Sequence, residues 1–62
     1  MKEHENKDCK LTISVDDNTK RERILFFNAR VLTVSEKHIT FRDKYGDVYT
    51  FKRDAVLHIK TV

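Results

Sequence analysis

The sequence contains few of the residues that usually constrain a small protein. Its 62 residues include one glycine, one cysteine, no proline and no tryptophan. A single cysteine excludes an internal disulfide, and one glycine excludes a glycine-rich phosphate-binding loop. A domain of this length is marginally stable on its own and usually needs a disulfide, a metal or oligomerisation. We therefore expect the chain to gain stability by assembling.

Long apolar runs are missing as well. No stretch of about 18 apolar residues predicts a membrane span. Residues 1–8 are polar and lack the apolar centre of a signal peptide. Together with the lone Cys9, this pattern favours a reducing, cytoplasmic location.

The charge is nearly balanced, with a formal net charge of +3 at pH 7. Residues 1–29 carry as many acidic as basic side chains, so the whole excess lies in residues 30–62. Nucleic-acid-binding domains are usually more basic than this. A charged, solvated surface accounts for most of these side chains.

No residue pattern indicates catalysis. The histidines His4, His38 and His58 are far apart in sequence, whereas a structural zinc site needs about four nitrogen or sulfur ligands. No histidine adjoins Cys9 to activate its thiol. We expect no enzyme activity, no catalytic or metal-binding residues, no cofactor and no small-molecule substrate.

Apolar and polar residues alternate with a period of two beyond residue 9, as in half-buried strands. Residues 1–9 are predicted to form a flexible polar tail, and residues 10–62 a single domain. A turn is predicted at residues 16–19 and a 3₁₀ turn at residues 53–55. The predicted strands cover residues 11–15, 23–34, 38–42, 48–52 and 56–61.

Two features of these strands predict bent backbone. Residues 24–27 are apolar on both faces of the second strand, which predicts a bulge or bend between residues 28 and 32. The only glycine, Gly46, lies in the hairpin at residues 43–47, where a type I turn with a bulge needs a positive φ. Five short strands with tight hairpins predict an all-β fold, a small five-stranded bent antiparallel barrel of the Sm-like or SH3-like type.

Two stretches resemble the motifs of the Sm and Sm-like family. Residues 34–41 match its first motif, with His38 at the position of an RNA-contacting asparagine. Residues 51–59 match its second motif, with Lys52 at the basic position and Arg53 where the family has glycine. The resemblance spans residues 10–62. It implies a bent barrel, rings in which strand four pairs with strand five of the next subunit, and binding of single-stranded RNA.

RNA binding of this kind requires cations for phosphates and rings for bases. The candidate RNA-binding residues are His38, Lys52 and Arg53, with Tyr45 beside Lys44 as a second platform in a loop.

Oligomerisation has its own candidate residues. Two apolar pairs within residues 24–27 compete for one small core, and the last strand offers an edge for strand addition. The predicted interface residues, in a homodimer or ring, are Leu25, Phe27, Tyr49 and Ile59.

Two functions therefore remain open. The favoured one is a non-enzymatic protein-interaction module, for example a small bacterial or phage regulatory protein that caps a strand or pocket of a partner protein. The alternative is an Sm-like oligomer that binds single-stranded RNA. The balanced charge favours the first.

Overall fold

Five antiparallel strands form one sheet in the computed structural model, which describes residues 2–16 and 21–62. The all-β class predicted from the alternation is confirmed. The predicted turn at residues 16–19 lies, beyond Asp16, outside the described residues. The strands are β1 (Asp8–Asp16), β2 (Glu22–Val34), β3 (His38–Asp43), β4 (Val48–Lys52) and β5 (Val56–Thr61), and two 3₁₀ turns cover Lys2–His4 and Arg53–Ala55. Their order across the sheet is β4-β3-β2-β1-β5.

The N-terminal residues join the sheet earlier than predicted. β1 begins at Asp8, and Cys9 is only 1% exposed within the core. The backbone N–H of Asn6 donates to Val31 O at 2.7 Å, and the N–H of Val31 donates to Lys7 O at 3.1 Å. The predicted flexible tail therefore differs from the structure over these residues. Their attachment is through the backbone, which leaves no apolar pattern in the sequence.

The core fills the concave face of the sheet. Val31, Ile39 and Phe41 are fully buried there, as are Leu11 and Ile13 of β1. Four aromatic rings cluster over this layer, with centroids 5.0 to 6.2 Å apart: Phe27, Phe41, Tyr49 and Phe51.

The sheet is strongly curled. Phe27 of β2 lies 5.2 Å from Tyr49 of β4, although β3 separates their strands. Only three residues join β4 to β5, which lie at opposite edges of the sheet. A flat five-stranded sheet is about 19 Å wide, whereas the chain from Lys52 to Val56 can reach at most about 15 Å. The connection therefore requires curvature.

Curvature does not close the sheet. Among the described residues, β4 pairs only with β3, and β5 pairs only with β1. The barrel expected from the sequence is thus an open sheet here, and its closure stays a prediction. Among the described residues, the outer edges of β4 and β5 are left without a neighbouring strand.

The two predicted backbone irregularities are present. The register between β2 and β3 shifts between Val31 and Thr33, which places the bulge at Leu32. Gly46 has a φ of 88°, as its hairpin position predicted. The carboxylate of Asp43 accepts hydrogen bonds from the N–H groups of Tyr45 and Asp47 at 2.9 and 3.0 Å, which fixes this turn.

Candidate interaction surfaces

The open edge of β4 has a defined hydrogen-bonding pattern. Asp43 N–H donates to Asp47 O at 2.9 Å at one end of the hairpin, and Arg53 N–H donates to Lys37 O at 2.8 Å at the other. Hydrogen-bonded and non-bonded pairs alternate along an antiparallel ladder. When the alternation is followed from either of these bonded pairs, the backbone groups of residues 49 and 51 are the ones that bond to β3. Those of residues 48, 50 and 52 therefore point away from the sheet.

Side-chain contacts agree with this assignment. The hydroxyl oxygens of Thr40 and Thr50 lie 3.0 Å apart, as expected for a non-bonded pair, in which side chains are closest. Val48, Thr50 and Lys52 are all exposed, and no described residue covers this edge. The β4 edge, meaning the outward backbone groups of residues 48, 50 and 52, is therefore free to pair.

The second open edge belongs to β5. Val62 N–H donates to Asp8 O at 2.9 Å, so by the same alternation the backbone groups of Ile59 and Thr61 point away from β1. Leu57 lies at a register shift in this pairing and is 55% exposed. Both edges are short, which limits them to a few hydrogen bonds each.

The predicted interface residues all lie on the concave face. Leu25, Phe27, Tyr49 and Ile59 are half-buried and pack against the core. The apolar pair left exposed in β2 is instead formed by residues 24 and 26, on the convex face. Two of the predicted interface residues lie on the strands with open edges, since Tyr49 belongs to β4 and Ile59 to β5.

The structure brings together some of the predicted RNA-binding residues. His38 and Lys52 are direct cross-strand partners on β3 and β4. They line a shallow groove with Glu36, Lys37 and Asp54. The groove thus combines cations with two carboxylates, so its charge is mixed.

Arg53 is engaged in a different way. Its Nη1 donates to Ser35 O at 3.2 Å and to Glu36 O at 3.3 Å. These bonds tie the 3₁₀ turn after β4 to the turn between β2 and β3. They direct its guanidinium to backbone carbonyls rather than outward.

Tyr45 and Lys44 lie at the opposite end of the β3–β4 hairpin from His38 and Lys52. Tyr45 is 78% exposed, and Lys44 Nζ lies 5.2 Å from the centre of its ring. A cation at this distance is attracted by the ring face. The predicted RNA-binding residues therefore form two separate groups.

Local charges and burial shift the pKa values of two side chains near these surfaces. Desolvation raises the pKa of Tyr49, and the carboxylates of Asp43 and Asp47 raise it further. The hydrogen bond from Arg30 Nε to Asp8 Oδ1, at 3.1 Å, raises the pKa of the guanidinium. Both side chains consequently keep their protons across the neutral range.

A histidine does approach the cysteine, which the sequence analysis did not expect. Cys9 Sγ lies 3.9 Å from His4 Nδ1, and that nitrogen lies 2.8 Å from Thr61 Oγ1. The first 3₁₀ turn folds His4 back over β1. The thiol is buried, with Cys9 only 1% exposed.

Two further findings concern the described parts of the chain. Within residues 2–16 and 21–62, no three His, Cys, Asp or Glu side chains are grouped so as to hold a metal ion. In the same ranges, no helix has the length and apolar character that a bilayer-spanning helix needs.

A cleft on the convex face was missed by the sequence analysis. It contains the exposed ring of Phe26, which is 79% exposed. The alternation alone could not have found it, since residues 24–27 are apolar on both faces of the strand. The lining residues are Lys10, Leu11, Thr12, Phe26, Phe27, Asn28, His58 and Lys60.

Comparisons with known proteins returned no match to a family model, a curated protein or a solved structure. The Sm-like relationship therefore stays a prediction based on residues 34–41 and 51–59. The open edges, the groove and the cleft of this chain are therefore the features that bear on its function.

Proposed function

We propose that this chain is a non-enzymatic protein-interaction module that pairs its β4 edge with a strand of another protein molecule. The observation that carries the proposal is the outward direction of the backbone N–H and C=O groups of Val48, Thr50 and Lys52. Such groups form a template for an added strand. Main-chain hydrogen bonds supply affinity in this binding mode, and side-chain pockets supply specificity.

The β4 edge lacks most of the devices that protect natural edge strands. Proteins usually block such edges with proline, bulges, charged side chains or a covering loop. β4 has no proline and no register shift against β3, and among the described residues nothing covers its outer side. Lys52, at its end, is the one charge within the strand.

A second copy of the chain is the partner we favour. The β5 edge offers the complementary row of free groups at Ile59 and Thr61. Pairing β4 of one copy with β5 of the next produces a homodimer or a ring, as the Sm-like resemblance implies. It also gives both open edges of each curled sheet a paired neighbour.

Packing supports the same arrangement. Tyr49 and Ile59 belong to the two edge strands and are only half-buried in a single chain. Edge pairing would remove more of their apolar surface from water, at about 25 cal/mol per Å². Assembly thus supplies stability to a chain of 62 residues, a length at which a domain is marginal on its own.

A partner protein of a different kind fits the same edge. The favoured setting is the cytoplasm, where the buried, free Cys9 stays reduced. A small bacterial or phage regulator that caps a partner's strand would act in this way. Edge addition is the common mechanism in both cases.

The Thr50→Pro variant tests this proposal. Proline removes an N–H that points outward, and edge strands tolerate proline where that group faces solvent. Thr50→Val is the matched control, because it loses the same hydroxyl but keeps the N–H and the β-branched shape. We expect light scattering to show oligomers for the native chain and for Thr50→Val, with association at least tenfold weaker for Thr50→Pro.

Circular dichroism of both variants checks that the sheet remains folded. The proposal of self-assembly is wrong if the native chain stays monomeric at all concentrations tested. Edge pairing is wrong if folded Thr50→Pro assembles as well as Thr50→Val does.

The second candidate function is binding of single-stranded RNA by an Sm-like oligomer. The cross-strand pair of His38 and Lys52 favours it, since a ring and a cation lie side by side. The carboxylates of Glu36 and Asp54 in the same groove oppose a polyanion. This balance is why the candidate ranks second.

Lys52→Ala tests the RNA candidate. If the groove binds a phosphate there, the variant weakens binding of labelled oligo-U. It also reduces the slope of log affinity against log salt by about 0.7, the value for one phosphate contact on a single strand. Lys2→Ala, which removes an exposed lysine of the first 3₁₀ turn, is the control. Unchanged binding by Lys52→Ala counts against this groove.

A further inference from the structure

The convex face of β2, β1 and β5 carries an exposed aromatic ring in a basic setting. Phe26 pairs across the sheet with Thr12, which pairs with His58. The next row along the strands consists of Asn28, Lys10 and Lys60. Cross-strand partners share a face of the sheet, so these two rows lie side by side. We call this surface the Phe26 cleft.

Among the described residues, no acidic residue lines the Phe26 cleft. Two of the carboxylates further along the same face have partners of their own. Asp8 is bonded to Arg30 at 3.1 Å, and Glu22 accepts a hydrogen bond from Ser14. The positive charge of the two lysines is therefore not neutralised by any described side chain of the lining.

The Phe26 ring is also open on its other side. Among the described residues, β3 pairs with β2 only from Ala29 onward, so residues 22–28 of β2 pair with β1 alone and no strand covers the flank of Phe26. A phenyl ring exposed in this way gains little from folding, because it stays in water.

The charge of the cleft argues against a second copy as its occupant. A two-fold contact through this face would bring Lys10 and Lys60 of both copies together, and like charges in a contact are unfavourable. The occupant has to carry negative charge and a flat apolar surface at once. Phosphates and bases provide both within a few ångströms of each other.

We propose that the Phe26 cleft binds single-stranded nucleic acid, with a base stacked on Phe26 and phosphates held by Lys10 and Lys60. Lys10 is a diagonal neighbour of Phe26 on the adjacent strand, at about 7–8 Å between backbones, within reach of long side chains. His58 provides a second ring, and the Asn28 amide can bond to a base edge. Stacking on such a platform tolerates any base sequence, since every base has a π face.

This site is distinct from the groove of the RNA candidate. His38 neighbours Ile39, which pairs with Val34 at the far end of β2 from Phe26. The site also leaves the β4 edge free, because that strand is on the opposite side of the sheet order. It therefore goes beyond the proposed protein interaction and does not depend on it.

Phe26→Ala and Phe26→Trp together test the cleft. The probes are fluorescently labelled 12-nucleotide single strands of RNA and of DNA, titrated with the full chain at two salt concentrations. Loss of one stacked base predicts about 5- to 150-fold weaker binding for Phe26→Ala. Phe26→Trp keeps binding, and its tryptophan is the only one in the chain, so stacking quenches a unique fluorescence signal.

The lysines provide the further arms. Lys10→Ala and Lys60→Ala should each reduce the salt slope by about 0.7. Lys2→Ala, which removes an exposed lysine outside the lining of the cleft, should bind as the native chain does. Binding of RNA alone, DNA alone or both supports the proposal and identifies the strand chemistry.

Three results would overturn it. One is no binding of either strand by the native chain at low salt. Another is equal affinity of the native chain and Phe26→Ala. The third is equal, Phe26-dependent binding of polyglutamate or of anionic lipid vesicles, which would assign the cleft to an acidic protein or a membrane surface.

Discussion

Replacing Phe41 by alanine is expected to lower the free energy of unfolding by about 3–5 kcal/mol, a large share of the stability of so small a domain. Phe41 is 0% exposed and lies within 5.0 to 5.8 Å of three other rings. Truncating a buried phenylalanine costs about 3–5 kcal/mol. A domain of this length has a free energy of unfolding of only about 3–9 kcal/mol. Urea unfolding followed by circular dichroism, at one fixed protein concentration, measures the loss.

The matched control is Phe26→Ala, which makes the same chemical change at a site that is 79% exposed. Its effect on the free energy of unfolding should stay below about 1 kcal/mol, the range of strand propensity. Equal losses in the two variants would contradict the assignment of core and convex faces in β2 and β3.

Removal of residues 1–9 is expected to cause the second large loss in the free energy of unfolding. It deletes the sheet pairing of Cys9 with Ala29 and at least three further backbone hydrogen bonds, which link Asn6 and Lys7 to Val31 and Asp8 to Val62. It also deletes the buried side chain of Cys9 and leaves the backbone of Val31, in the core, without these partners. At about 1 kcal/mol for each bond, plus the lost burial, the cost is about 3–5 kcal/mol. Thermal unfolding of residues 10–62 against the full chain measures it.

A shorter deletion serves as the control. A chain beginning at Glu5 loses the contact between His4 and Thr61 and the turn bonds from Glu5 and Lys7 to Lys2 and His4, but keeps the bonds to Val31. We expect a clearly smaller fall in its free energy of unfolding than for residues 10–62, because the bonds to the core and the buried Cys9 are retained. A chain of residues 10–62 as stable as the full chain would instead support the flexible tail predicted from the sequence.

The strands were predictable because their side chains alternate. Leu11, Ile13 and Ile39 mark the buried face in a way that the sequence displays directly. The start of β1 was not predictable, because Asn6 and Lys7 are attached through backbone groups that every residue carries. Sequence patterns report side-chain burial, so this kind of pairing leaves no signal in them.

The candidate sites were predictable to a smaller degree. His38 and Lys52 lie opposite each other because of the register of the β3–β4 hairpin, and that register could be worked out from their distances in sequence to the predicted turn. The role of Arg53 was not predictable, because its carbonyl partners come from a turn 17 and 18 residues earlier in the chain.

The orientation of β2 was ambiguous for another reason. Residues 24–27 are apolar on both faces, so their own pattern cannot decide which pair is buried. Pairing with β1 decides it: Leu11 and Ile13 are core residues and lie opposite Phe27 and Leu25. Phe26 is consequently placed on the convex face, where it creates the cleft.

Amide hydrogen exchange along β4, resolved by residue, tests the central claim of edge pairing most directly. In dilute protein, we predict fast exchange for the N–H groups of Val48, Thr50 and Lys52 and slow exchange for those of Tyr49 and Phe51, which bond to β3. At concentrations where the chain assembles, the first three should become protected while the other two stay unchanged. Fast exchange of residues 48, 50 and 52 in the assembled protein would contradict pairing through the β4 edge.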